Sequence, residues 1–115
     1  MPFAESMTSL AKALHAALRA RFGRGVAGYV VRELDDGEHA GMRASFVLYE
    51  YWEIDFVYDR GAFGFSIPFR NSDVPVMRGP QAGQSIEDLD GILAELQEKV
   101  LSRIPDKYLQ TWEAP

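Results

Sequence analysis

Residues 52–69 read Trp-Glu-Ile-Asp-Phe-Val-Tyr-Asp, then Arg-Gly, then Ala-Phe-Gly-Phe-Ser-Ile-Pro-Phe. Large apolar side chains occupy every second position in both runs, and the central Arg-Gly pair is typical of a tight turn. The pattern predicts two antiparallel strands, over about residues 52–59 and 63–69, joined as a hairpin. Because one face of this hairpin is apolar, it must pack against another layer of the protein.

Two further strands are predicted on the N-terminal side of the hairpin. Residues 26–34 are rich in Val and Tyr and are followed by the turn-forming residues Asp-Asp-Gly-Glu at 35–38. Residues 42–49 alternate between apolar and polar side chains. The sequence therefore predicts a four-stranded antiparallel β-meander.

A helix is predicted at each end of the meander. Residues 3–22 carry apolar side chains at a spacing of three and four, and Gly23 follows where a helix would end. Ser85 is the predicted N-cap of a second helix with an apolar stripe from Ile86 to Ile104, and Pro105 stops it. We expect a single α+β domain over residues 1–115, with both helices packed on one face of the sheet.

Residues 70–84 are predicted to form a loop of about fifteen residues, because they show no periodicity and contain two Pro and two Gly. Loops of this length are often functional. The tail over residues 106–115 is expected to pack back in part, because Tyr108, Leu109 and Trp112 are more apolar bulk than a free tail carries.

The composition indicates a folded, acidic protein. Twelve Lys and Arg stand against seventeen Asp and Glu, which gives a formal net charge of -5. This charge opposes binding to nucleic acid and attracts a basic protein partner. The N-terminus lacks the cations of a signal peptide and the chain has no long apolar run, so we expect a cytoplasmic protein that does not bind membranes.

No catalytic or cofactor-binding motif is found in the sequence. There is no Cys, and His15 and His39 are the two imidazoles, so a zinc site would need carboxylates from elsewhere. No Ser lies in a nucleophile-elbow context, and no glycine-rich segment has the residues of a phosphate-binding loop. We therefore expect a protein that is not an enzyme and that has no metal or cofactor.

Three groups of residues are candidates for binding a partner. The first is acidic and shares one face of the strand over residues 52–59, where a solvated surface is the alternative that composition favours: Glu53, Asp55 and Asp59. The second lies at the corner between two strands, where the favoured alternative is that Trp52 and one Tyr close the rim of the core: Tyr49, Tyr51 and Trp52. The third lies in the predicted loop, which could equally be a mobile connector: Asp73, Met77 and Arg78.

Three segments resemble the small α+β immunity proteins of bacterial toxin systems, including contact-dependent inhibition: residues 51–61, 63–67 and 103–109. The resemblance covers most of the chain in architecture, and its motifs are loose. It implies tight binding and neutralisation of a cognate toxin domain, often a basic nuclease, without assigning roles to individual residues.

Other functions remain open at this point. The chain also resembles the secretion chaperones of the type III class, which bind an effector segment, but it departs from them by running four strands together without an intervening helix. A small ligand-binding domain with a pocket between helices and sheet is a further alternative. A homo-oligomer formed through the exposed sheet face is another.

Overall fold

The computed structural model describes residues 6–37, 41–70, 72–80 and 85–108. Within these residues, one helix precedes and another follows five strands that are consecutive in the sequence. The elements are α1 (Met7–Phe22), a 3-10 turn (Gly23–Gly25), β1 (Val26–Asp35), β2 (Gly41–Leu48), β3 (Trp52–Asp59), β4 (Ala62–Phe69), β5 (Ser72–Gly79) and α2 (Leu89–Leu101). No helix in these described ranges combines the length and the apolar character needed to cross a membrane.

The five strands form one antiparallel meander in the order β1-β2-β3-β4-β5. The predicted α+β class and antiparallel sheet are confirmed, but the prediction of four strands is wrong. Residues 72–79, placed in the predicted loop, form β5 and pair with β4. The sequence pattern did not predict this strand for two reasons. Pro75 lies in it, and a bulge makes Val76 an extra residue opposite β4, so apolar and polar residues do not alternate.

The helix boundaries also differ from the prediction. The described part of α1 begins at Met7, after Ser6, whose Oγ accepts a hydrogen bond from the Ser9 N–H at 3.2 Å. Residues 1–5 lie outside the described residues. The predicted N-cap Ser85 is wrong, because Asp88 caps α2 by accepting from the Gly91 N–H at 3.1 Å. The apolar stripe runs on to Ile104, but α2 ends at Leu101.

One hydrophobic core joins both helices to a single face of the sheet. Phe46 on β2 is fully buried at its centre, with its ring centroid 6.4 Å from Tyr29 on β1 and 6.5 Å from Phe65 on β4. The Tyr29 hydroxyl donates to the Ala11 carbonyl of α1 at 2.8 Å, and burial raises the pKa of Tyr29 to about 12. Both α1 and α2 therefore lie on one face of the sheet, and neither covers the opposite face.

The β2–β3 turn places two side chains in the left-handed region, Tyr49 at φ 58° and Glu50 at φ 54°. Left-handed backbone is unfavourable for residues other than Gly, so other contacts must hold the turn. The Tyr49 N–H donates to the Gly25 carbonyl at 2.6 Å, and the Tyr108 hydroxyl donates to the Tyr49 carbonyl at 2.8 Å. Tyr108 thus packs back on the body as expected, while Leu109 and Trp112 lie outside the described residues.

Candidate functional site

The sheet face away from the helices is the candidate site, and we call it the open face. Alternation along the strands and a bulge at Arg32 place these residues, among others, on it, in order from β1 to β5: Val30, Arg32, Glu33, Asp35, Arg43, Ser45, Val47, Glu53, Asp55, Val57, Asp59, Ala62, Gly64, Ser66, Pro68, Asp73, Pro75 and Arg78. Six of these are acidic and three are basic, so the open face shares the acidic balance of the whole chain.

A polar row crosses the centre of the open face. Asp55 on β3 lies opposite Ser45 on β2 and opposite Ser66 on β4. Ser45 is only 3% exposed, and its Oγ accepts a hydrogen bond from Arg32 Nε at 2.6 Å. Arg32 can reach Ser45 because it is the extra residue at a register shift in β1. The guanidinium group of Arg32, from the edge strand β1, therefore lies against this polar row.

Asp55 is the electrostatically perturbed residue of this row. Burial raises the pKa of its carboxyl group above the ordinary value, and Glu53 and Asp73 raise it further, while Arg43 and Arg32 oppose the change. Its Oδ1 is inaccessible to solvent and accepts no hydrogen bond from the described residues. This oxygen of an ionised carboxylate has lost hydration without gaining a donor, which is unfavourable in the isolated protein.

A shallow trough runs along β4 on the open face. The β4 side chains on this side are small, whereas those on the core side are bulky: Ala62, Gly64, Ser66 and Pro68 against Phe63, Phe65, Ile67 and Phe69. The flanking strands β3 and β5 lie about 10 Å apart across β4, as strand spacing requires. The trough therefore has an acidic wall on β3 and, on β5, a wall with both an acidic and a basic side chain, Asp73 and Arg78.

Two concavities on the open face meet at Val57. One, of about 230 Å³, lies over β4 and β5, with Ser66, Asp73 and Arg78 in its lining. The other, of about 270 Å³, lies towards β1, and its lining includes Arg43 and Asp59. The first is lined by one carboxylate and one guanidinium, and the second by three carboxylates and one guanidinium.

The structure brings together five of the predicted partner-binding residues. Glu53, Asp55 and Asp59 share the open face because of the alternation in β3. Asp73 and Arg78, predicted as loop residues, join them because β5 pairs with β4. Whether these residues bind a partner stays a prediction.

The other four predicted residues lie elsewhere. Tyr49 is half-buried, with its ring centroid 5.9 Å from that of Phe22 in α1, and Trp52 is half-buried on the helix-covered side. Tyr51 is 39% exposed and packs between Trp52 and Tyr108, with centroid distances of 5.0 and 4.9 Å. Met77 is 6% exposed and belongs to the core. These residues are separated from the acidic wall by the sheet itself.

Sequence reasoning missed Arg32, Ser45 and Ser66 as members of the site. Ser45 gave a signal, since it lies on the face of β2 away from Ala44, Phe46 and Leu48. Arg32 gave none, because a bulge decides the direction of its side chain and bulges do not follow from the alternation.

The described residues contain no group of three or more His, Asp or Glu side chains that could hold a metal ion. His15 stacks on Tyr29 at a centroid distance of 4.4 Å, on the other side of the sheet, and His39 lies outside the described residues. The open face presents carboxylate, hydroxyl and guanidinium groups around Asp55.

Comparison with known proteins gives no further assignment. No family model, no curated protein and no solved structure matches the chain.

Proposed function

We propose that this chain is a non-enzymatic binding protein that takes a basic protein partner on its open face. By its resemblance to small α+β immunity proteins, we propose further that it is a cytoplasmic immunity protein and that the partner is a cognate bacterial toxin domain. One observation carries the proposal: the buried Oδ1 of Asp55, which has no donor within the described residues.

Asp55 favours a cationic ligand for two reasons. One oxygen of its carboxylate, Oδ1, is shielded from water without a donor, so the ionised group is incompletely solvated and a cation placed at its accessible side would compensate the charge. Burial raises its pKa in the free protein and its acidic neighbours Glu53 and Asp73 raise it further, and a guanidinium or ammonium group would relieve that repulsion. An Arg or Lys of the partner is the complementary group.

The surroundings of Asp55 suit a protein surface more than a small metabolite. The open face is broad, its two concavities are shallow, and the trough along β4 is one strand wide. Its excess of carboxylates would also accelerate the approach of a basic partner, and salt would weaken this steering.

The fold does not support the alternative proposal that the chain is a type III secretion chaperone. The uninterrupted meander has five strands rather than the four that the sequence predicted, and no helix interrupts them within the described ranges. This extends the departure from the chaperone pattern.

Co-expression with the product of the adjacent upstream gene tests the proposal. We expect the tagged chain to retain that protein through purification and to protect the host cell from it. The double variant Asp55→Asn with Asp73→Asn should lose both properties. A matched double variant on the surface of α2, Glu95→Gln with Glu98→Gln, changes the net charge equally and should keep them. Equal retention by both variants, or no retention by the unaltered chain, would refute the proposal.

A further inference from the structure

An apolar groove of about 500 Å³ lies on the helix-covered side of the sheet, where β4 ends and β5 begins. Its walls are Trp52, Ile67, Phe69, Val74 and Arg103. Phe69 is 58% exposed and Val74 is 44% exposed, so much of this apolar surface faces solvent. Binding sites for small molecules commonly have this size and combine apolar walls with a few polar groups.

Unsatisfied donors accompany the apolar walls. Arg103 follows the end of α2, and its Nη1 donates to the Lys99 carbonyl at 3.1 Å. Arg103 also lines the groove, and no other acceptor among the described residues occupies its remaining N–H groups. The Nε1 of Trp52 is buried and also lacks an acceptor there.

The charge at the groove is opposite to that of the chain. The one charged residue in the described wall is Arg103, and Arg70 lies nearby with its guanidinium carbon 5.5 Å from the centre of the Phe69 ring. In a chain of net charge -5, two cations beside exposed apolar side chains favour a ligand that is both apolar and anionic.

We propose that this groove binds a small apolar carboxylate, with its hydrocarbon or aromatic body against Trp52, Phe69 and Val74 and its acid group on Arg103. Burial of the body supplies the attraction, and the planar guanidinium matches the two oxygens of a carboxylate. This site goes beyond the proposed partner binding and is independent of it, because the sheet separates the groove from the open face.

Titration of the full ¹⁵N-labelled chain with sodium decanoate tests the site through the indole N–H resonance of Trp52. A Trp52→Phe variant assigns this resonance, because the chain has two Trp. We expect a saturable shift, and binding of decylamine at least about tenfold weaker than that of decanoate, since the charge on the ligand is reversed.

Two variants separate the contribution of the ligand's acid group to binding from that of its apolar body. Arg103→Gln should weaken decanoate about tenfold and leave decanol unaffected, because only the acid group needs the guanidinium. Val74→Asp should abolish binding. Val30→Asp is its matched control, since Val30 is a similarly exposed Val (47%) on the opposite edge strand, and it should bind as the unaltered chain does.

Three results would overturn the assignment. One is equal binding of decanoate and decylamine, and another is decanoate binding that neither groove variant reduces. The third is self-association of the unaltered chain that Val74→Asp abolishes in light scattering, because the groove would then be filled by a second copy.

Discussion

Asp55 and Ser45 face each other across β3 and β2 at the centre of the open face, and they differ in how their polar atoms are satisfied. Ser45 Oγ accepts a 2.6 Å hydrogen bond from Arg32, whereas Oδ1 of Asp55 is buried and has no donor in the described part of the chain. The sheet thus holds one carboxylate oxygen that the described residues leave without a donor, beside a hydroxyl group that accepts a hydrogen bond.

Replacement of this carboxylate should stabilise the free protein. Because folding raises the pKa of Asp55, the protonated carboxyl group favours the folded state. This contribution to stability is fully present below the pKa of Asp55 in the unfolded chain, about 3.9, and it is lost as the pH rises through the higher pKa of the folded chain. At pH 7 we expect Asp55→Asn to raise the free energy of unfolding by at most about 1 kcal/mol, because solvent screens the accessible part of the carboxylate. Urea unfolding between pH 3 and pH 7 measures this.

Urea unfolding across this pH range distinguishes the effect of the raised pKa of Asp55 from a general effect of net charge on stability. The unaltered chain should lose stability relative to Asp55→Asn as the pH rises. Glu98→Gln, an exposed site on α2, should follow the unaltered chain. A lower free energy of unfolding for Asp55→Asn than for the unaltered chain at pH 7 would show that the ionised carboxylate of Asp55 does not destabilise the folded protein.

The N-cap of α2 gives a second prediction. Asp88 accepts from the Gly91 N–H, while Ser85 accepts from the Glu87 N–H at 3.2 Å in the turn before the helix. Asp88→Ala should therefore lower the free energy of unfolding by about 1 kcal/mol, as loss of a cap does, and Ser85→Ala should lower it less. Chemical denaturation of both variants distinguishes the two caps, and the reverse order would restore Ser85 as the cap.

The core around Phe46 gives a third prediction. Phe46 is 1% exposed and lies between Tyr29 and Phe65. Phe46→Ala should lower the free energy of unfolding by about 3–5 kcal/mol because it leaves a cavity. Phe69→Ala, at a side chain that is 58% exposed, should lower it by less than about 1 kcal/mol. Similar losses in thermal unfolding would contradict the assignment of core and surface.

The β2–β3 turn gives a fourth prediction. Glu50 is exposed and has a φ of 54°, which Gly adopts without the steric penalty of a side chain. Glu50→Gly should raise the free energy of unfolding by about 0.5–1 kcal/mol. Glu50→Ala removes the same side chain but keeps the penalty, so it should bring no gain. Equal effects of the two variants in urea unfolding would show that backbone strain is not the cause.

The sequence predicts the centre of the sheet well and its edges poorly. The alternation in β3 identifies both its bounds, Trp52–Asp59, and the acids on its outer face, because a half-buried strand between two neighbours must alternate. The edge strand β5 is free of that constraint on one side, so it tolerates Pro75 and the extra residue Val76. The direction of Arg32 was unpredictable for the same reason, since a bulge in the other edge strand sets it.

The dissociation constant of the complex with the co-purified partner tests the central claim most directly. Calorimetry on the unaltered chain, Asp55→Asn and Glu98→Gln compares a carboxylate on the open face with one on α2. We predict that Asp55→Asn weakens binding at least about tenfold although it stabilises the free protein, that Glu98→Gln leaves binding unchanged, and that salt weakens the unaltered complex. Equal dissociation constants for the unaltered chain and Asp55→Asn would contradict the claim that the open face binds through Asp55.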